Sequence, residues 1–129
     1  MLDWWLVPLP FTKALSLNDR MNHWVKAKAV REWRDAARWS ARAARIPASS
    51  RIRVGFHYIP KDRRRRDSDN LVGAFKPCVD ALVDEGVVPD DTLQYVEREW
   101  PMIHDPDPSI VGGRFWLSVA LLEETTATA

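Results

Sequence analysis

Cysteine is almost absent from this chain of 129 residues: Cys78 stands alone, so no disulfide can close within it. His23, His57 and His104 are scattered, and with a lone Cys78 they show no zinc-ligand spacing. No apolar run is long enough to span a bilayer. The apolar opening MLDWWLVPLPF is interrupted by Asp3 and two prolines and lacks the basic start of a secretory signal, so a cytoplasmic location and no membrane partner are expected. Internal repeats and low-complexity segments are missing too. What is present, 46% hydrophobic and 29% charged residues, excludes a disordered chain, a coiled coil and a collagen-like fibre. The length suits one domain over 1–122 with a frayed tail at 123–129.

Charge of one sign is not in excess overall, with 19 Lys+Arg against 18 Asp+Glu, but it is segregated along the chain. Residues 11–66 carry 16 bases and four acids, a surplus of twelve, whereas residues 67–129 carry three bases and 13 acids, a deficit of ten. The halves meet at RRRRDSDN. A basic half suggests nucleic-acid contact and an acidic half either solvation or cation binding. Alternatively, the two halves neutralise each other on the folded surface.

Periodicity gives an α+β fold, a small mixed sheet with two helices in the order β-α-β-α-β-β. Trp4 to Pro10, with two prolines, suits an edge strand. A helix is expected from about Trp24 to Arg45. Val30, Trp33, Ala37, Ala41 and Ala44 form its apolar face, and Arg31, Arg34, Arg38, Arg42 and Arg45 a parallel arginine stripe. Arg51–Ile59 alternates as a strand with Ile52, Val54, Phe56 and Tyr58 inward. Asp67–Glu85 reads as the second helix or its entry, with Leu71, Phe75, Cys78 and Leu82 as its stripe and Gly86 as its cap. Pro77 cannot donate to Gly73, so a kink or a restart at Pro77 is expected. Gln94–Ile103 and Arg114–Leu122 are the last strands, joined by HDPDPSIVGG.

Asp67 and Asp69 share one side of an extended stretch, and Asp90 and Asp91 arrive just after the helix. If the returning chain lies beside the strand that led in, three carboxylates converge, a donor set suited to Mg²⁺ or Mn²⁺. Beside them Arg63, Arg64, Arg65 and Arg66 could hold a polyanion while a metal activates water for phosphodiester hydrolysis. The bland alternative is that Asp67 or Asp69 caps a helix, Asp90 and Asp91 lie in a solvated turn, and the arginines are only hydrated.

The stretch RRRRDSDNLVGAFKPCVDALVDEGVVPDDTLQYV, from Arg63 to Val96, resembles the RusA family of Holliday junction resolvases, in the form carried by phages and high-GC bacteria. SLNDRMNHW upstream adds weaker support. The resemblance implies a homodimeric Mg²⁺-dependent endonuclease, with Mn²⁺ substituting and no organic cofactor, that nicks four-way DNA junctions during recombination and repair. It places the essential acids at Asp67, Asp69 and Asp91, with Asp90 beside them as a further metal ligand. The family's lysine lies three residues after the Asn, here Gly73; Lys76 lies six after Asn70 but still four before Asp80. A three-residue insertion, close to one helical turn, would leave Lys76 facing the metal side, or it pairs with Asp80 instead.

DNA contact is assigned to Arg63–Arg66 and, from the helix stripe, to Arg31, Arg34 and Arg38. Of seven tryptophans, Trp33 and Trp116 are expected in the core; Trp4, Trp5, Trp24, Trp39 and Trp100 suit a dimer interface or the core, with base stacking as the alternative. His104, Asp105 and Asp107 lie in a turn and receive no chemistry. Two other readings stand beside a resolvase: a less selective nuclease acting on branched or flap DNA, and a catalytically weak DNA-binding protein of the same fold.

Overall fold

The alternation of Ile52, Val54, Phe56 and Tyr58 sends these four side chains into the core, and the strand that carries them, β2 (Ile52–Ile59), lies inside the sheet. The computed structural model describes residues 3–12, 15, 22–64, 66 and 68–122, with only the backbone of 69 and 70; Asp67, Arg65 and the expected tail lie outside the described residues. Around β2 the order is β1 (Trp4–Leu9), α1 (His23–Ala44), β2, a 3-10 turn at Ser68–Leu71, α2 (Val72–Asp84), β3 (Val96–Arg98), β4 (Met102–Ile103) and β5 (Arg114–Leu121). This is the α+β fold with two helices and a mixed sheet.

The sheet runs β1-β5-β2-β3, with β4 continuing the β3 side of β2. β5 is antiparallel to both β1 and β2, while β3 and β4 are parallel to β2. β1 is an edge strand, and its Pro8 is tolerated there because an edge position leaves one row of amides unpaired. The stretch expected as one strand over Gln94–Ile103 is two short ones. Gln94 and Tyr95 are taken up in a turn closed by Tyr95 and Val96 amides on the Thr92 carbonyl at 2.9 Å, and Pro101, which has no N–H, separates β3 from β4.

Both helices cover one face of the sheet. Trp33 stacks on Phe11 at 4.4 Å and meets Phe115 edge-on at 5.3 Å; Phe56 touches Phe75 and Phe115. Each buried Phe contributes on the order of 2–3 kcal/mol of burial. Trp116 is not in this core: one residue along β5 from Phe115, it stands half-buried on the other face.

α1 is capped by Asn22, whose side chain accepts from the Trp24 amide, and ends at Arg45 in the left-handed region. α2 runs through Pro77 without restarting. Its end is a glycine cap as expected: Gly86 has φ +74°, its amide reaches the Val83 carbonyl, and the Val87 amide reaches that of Leu82. No helix among the described residues is long and apolar enough to cross a membrane.

The arginine stripe of α1 faces the acidic end of α2. Arg34 grips Asp84 through two bonds of 2.6 and 2.7 Å, Arg42 grips Glu85 at 2.7 and 3.2 Å, and Arg38 donates to Glu85 at 3.0 Å. Here the basic and acidic halves of the chain do neutralise each other. The Arg34 hydrogen bonds hold the Asp84 carboxyl below its ordinary range, and those from Arg42, then Arg38, do the same for Glu85. A carboxylate whose pKa is lower in the folded state stabilises fully above its unfolded value and less as pH falls through the folded one. The urea midpoint should therefore decline as pH drops below about 4.5. An Asp84→Asn, Glu85→Gln variant should start lower at pH 7 and lose less in acid.

Candidate functional site

Between Pro60 and the start of α2 the chain leaves β2 and turns across the end of the sheet. The basic loop on the way is organised by one acid. Asp62 Oδ1 accepts from the Arg64 amide at 3.0 Å and from Arg66 Nη2 at 2.8 Å. Arg66 Nη1 donates to the carbonyls of Asp62 at 2.8 Å and Arg64 at 2.9 Å, and its guanidinium lies over the Tyr58 ring. These bonds keep the Asp62 carboxyl below its usual range, the Arg64 amide contributing most. Arg66 thus serves as the clasp of the loop rather than as a free DNA contact. Arg63 and Arg64 are held outward instead, each side chain 78% exposed.

The loop leads into the 3-10 turn that contains Asp69. Ser68, flanked by the two aspartates of the DxDN motif, accepts a hydrogen bond of 2.6 Å from the Trp100 indole N–H, donated from the link between β3 and β4. Asp67 and the side chain of Asp69 lie outside the described residues. The link between β3 and β4 is thereby tied to the entry of the helix.

Asp91 is the second acid that structure places beside this helix. Lys76 Nζ lies 2.9 Å from both Asp80 Oδ1 and Asp91 Oδ2. The two alternatives for the displaced lysine are therefore not exclusive: it pairs one turn along its own helix and also spans to Asp91. Asp80, then Asp91, raise the Lys76 pKa, and Lys76 lowers that of Asp91. Ammonium and carboxylate both remain charged at neutral pH. Arg98 Nη2 donates to the Asp91 carbonyl at 2.8 Å, and Asp90 Oδ1 accepts from the Asp91 amide at 2.8 Å. Asp90 thus fastens the turn that presents Asp91.

Among the described residues no group of three or more His, Cys, Asp and Glu side chains is close enough to hold a metal ion. The donor chemistry that is described fits a hard cation: Asp91 is an ionised oxygen donor, while Cys78 is buried, and burial pushes its thiol up. A complete carboxylate set needs Asp67 and Asp69.

The other sequence-based candidates separate. Arg34 and Arg38 are engaged with α2, so their expected DNA contact is replaced by helix pairing; Arg31 is exposed on α1. Trp4, Trp24, Trp39 and Trp100 are exposed.

No family model matches this chain. A protein of Xylella fastidiosa (strain Temecula1 / ATCC 700964), described as an uncharacterized protein, is 34% identical to it over 105 residues, 77% of this chain and 65% of that protein. The chain thus spans less than two thirds of that relative's length, and the relative's description carries no activity.

One polar cluster was not legible from spacing. On the sheet face away from the helices, His57 Nδ1 lies 2.9 Å from His104 Nε2, and His57 Nε2 lies 2.8 Å from Ser118 Oγ. Trp116 stacks beside both imidazoles, at 4.9 and 5.2 Å. The histidines are 47 residues apart, and only the parallel β2–β4 register brings them together.

The Trp100 contact is testable. Trp100→Phe keeps an aromatic ring and removes the donor. Amides at 69–71 should then exchange faster by hydrogen-exchange mass spectrometry, with global stability altered by no more than about 1 kcal/mol because the bond is surface-exposed.

Proposed function

We propose that this protein is a Mg²⁺-dependent endodeoxyribonuclease of the RusA type, acting as a homodimer on four-way DNA junctions. The observation that carries the reading is Lys76 between Asp80 and Asp91: despite its shifted position the lysine meets the acid that follows the helix, at 2.9 Å. The resemblance across Arg63–Val96 supplies the rest of the assignment.

In this reading Asp67, Asp69 and Asp91 hold Mg²⁺, for which Mn²⁺ substitutes, and Asp90 stands beside them. Held there, Mg²⁺ would supply a water of lowered pKa and positive charge beside the attacked phosphate. Lys76 keeps its proton because two carboxylates raise its pKa, so it can neutralise charge developing on that phosphate while Asp80 anchors it. Arg63 and Arg64 face the DNA backbone; Arg66 holds their loop in shape. Hydrolysis of one strand at each of two related sites needs two such centres, which a dimer provides.

A second reading, a junction-binding protein that does not cut, is favoured by one feature: the Asp91 carboxylate is already engaged by Lys76. Cleavage of synthetic junctions, flaps and linear duplex at matched ionic strength separates the two. The nuclease reading expects junction nicking that Asp69→Asn reduces more than about a hundredfold while binding persists. Tight binding by the wild type without nicking in either Mg²⁺ or Mn²⁺ would establish the second reading instead. Cutting by Asp69→Asn at the wild-type rate would overturn the assigned acids.

A further inference from the structure

The His57–His104 pair and the basic loop meet at one place. A cleft of about 200 Å³ opens beside the loop, with Arg63, Arg64, Arg66 and His104 on its walls together with Asp62 and Asp105. Of the two acids, Asp62 is occupied by the Arg64 amide and by Arg66; Asp105, almost fully exposed, lies 3.9 Å from Arg63. Three guanidinium groups against two carboxylates leave the cleft cationic, and Arg63 and Arg64 point into solvent with room to swing onto a ligand.

His104 differs from an isolated surface histidine. Its Nε2 is committed to His57, leaving Nδ1 as the ring nitrogen that a ligand can reach. At 2.9 Å one of the two facing nitrogens carries the proton and the other accepts it. If Ser118 donates to His57 Nε2 and His57 Nδ1 donates to His104 Nε2, then His104 carries its own proton on Nδ1 and can donate outward. In the reverse polarity His104 Nδ1 is an acceptor. An anion at His104 selects the first arrangement; one added proton gives the pair a single positive charge and makes His104 Nδ1 a donor in every arrangement. A second proton would set two N–H groups against each other. The pair therefore behaves as a one-proton unit.

Other charges face this unit. Arg53 on β2 and Arg114 on β5 lie on the same sheet face, and the Glu99 carboxylate reaches over Gly55, next to His57. In the free protein burial, then His104, lowers the His57 pKa and so favours its neutral imidazole. Stacking on Trp116 favours the imidazolium once it forms.

We propose that the cleft beside the Arg63–Arg64 loop binds a phosphate of the nucleic-acid backbone, and that the His57–His104 pair takes up one proton as it does so. The proposal rests on the reading of the protein as DNA-binding but not on cleavage. Its sign follows from linkage: a ligand that raises the pKa of the pair binds more tightly as pH falls.

The test is fluorescence anisotropy of a labelled four-way junction and a labelled duplex, in EDTA and at constant ionic strength, at pH 6 and pH 8. Wild type should bind about three- to tenfold more tightly at pH 6. His104→Gln, or His57→Gln should the first variant fold poorly, should remove that difference between pH 6 and pH 8. His23→Gln should keep it. Histidine NMR signals titrated with inorganic phosphate should move in the wild type and not in the Arg63→Ala, Arg64→Ala variant. DNA binding without pH dependence, or with a dependence that survives in both His104→Gln and His57→Gln, would overturn the proposal and leave the DNA reading standing; no DNA binding at either pH would overturn both. Coupling to inorganic phosphate but not to DNA would place a free phosphate in the cleft and overturn the backbone assignment.

Discussion

Pairing on both edges of β2 sets where every chemically interesting group emerges. Its antiparallel partner β5 and its parallel partners β3 and β4 leave no freedom of register without turning Ile52, Val54, Phe56 and Tyr58 out of the core. The same alternation that buries these four sends Arg53, Gly55 and His57 to the opposite face. Parallel pairing has a further consequence: a parallel neighbour needs a crossover, and α2 with its flanking turns is that crossover. The chain therefore leaves β2 at the Ile59 end, traverses the basic loop and the DxDN turn, and returns along α2 to start β3 beside Ile52. Asp80 and Asp91, eleven residues apart, become neighbours through Lys76, which reaches both from the middle of the helix.

The arginines divide into two populations with opposite duties. Arg34, Arg38 and Arg42 on α1 face α2 because both helices lie on one side of the sheet, and the acids at the end of α2 fall opposite them. Such exposed pairs are individually weak. Two of them are bidentate and they share partners, so they also fix how one helix sits against the other. Among the described arginines of the loop, Arg66 is fastened to Asp62, whose Oδ1 also accepts from the Arg64 amide. The Arg63 and Arg64 guanidinium groups stay exposed, 3.9 Å from Asp105 and 3.5 Å from Asp62. A net charge near zero thus conceals a surface where cationic groups are concentrated at one end.

Much of this fold was legible in the sequence because its signals are local. Period-two alternation identified β2, a helical stripe through Trp33, Ala37 and Ala41 identified α1, and Gly86 marked the end of α2, where the structure gives it a positive φ. At Pro77 the sequence left a kinked helix and a restart as alternatives, and α2 runs on as one helix whose buried face around Phe75 and Cys78 is held by the core. Nor could periodicity show that Arg34, Arg38 and Arg42 face α2 instead of solvent. Trp116 was misassigned for a simple reason: Phe115 and Trp116 are adjacent and both apolar, and only the pairing of β5 with β2 decides which of them faces the helices. At the site, the residue types were legible and the contacts were not. Trp100 on Ser68 and His57 on His104 join segments more than 30 residues apart.

Lys76 shows how such contacts refine a motif read as a string. Counted from Asn70 it stands one helical turn too far along, yet counted from Asp80 it stands where the i, i+4 relation demands. The helix resolves the conflict, because one additional turn preserves the face while moving the ammonium by only about 4–5 Å along the axis. That distance is within the reach of a lysine side chain, whereas a shift of one or two residues would have turned the group away by more than about a quarter of a revolution. Relative to the position that the RusA resemblance implies, a difference of three is therefore among the few that would keep Lys76 on the side of the DxDN turn. The constraint is geometric: α2 can lengthen at its start only in near-whole turns if the face that meets Asp91 is also to face that turn.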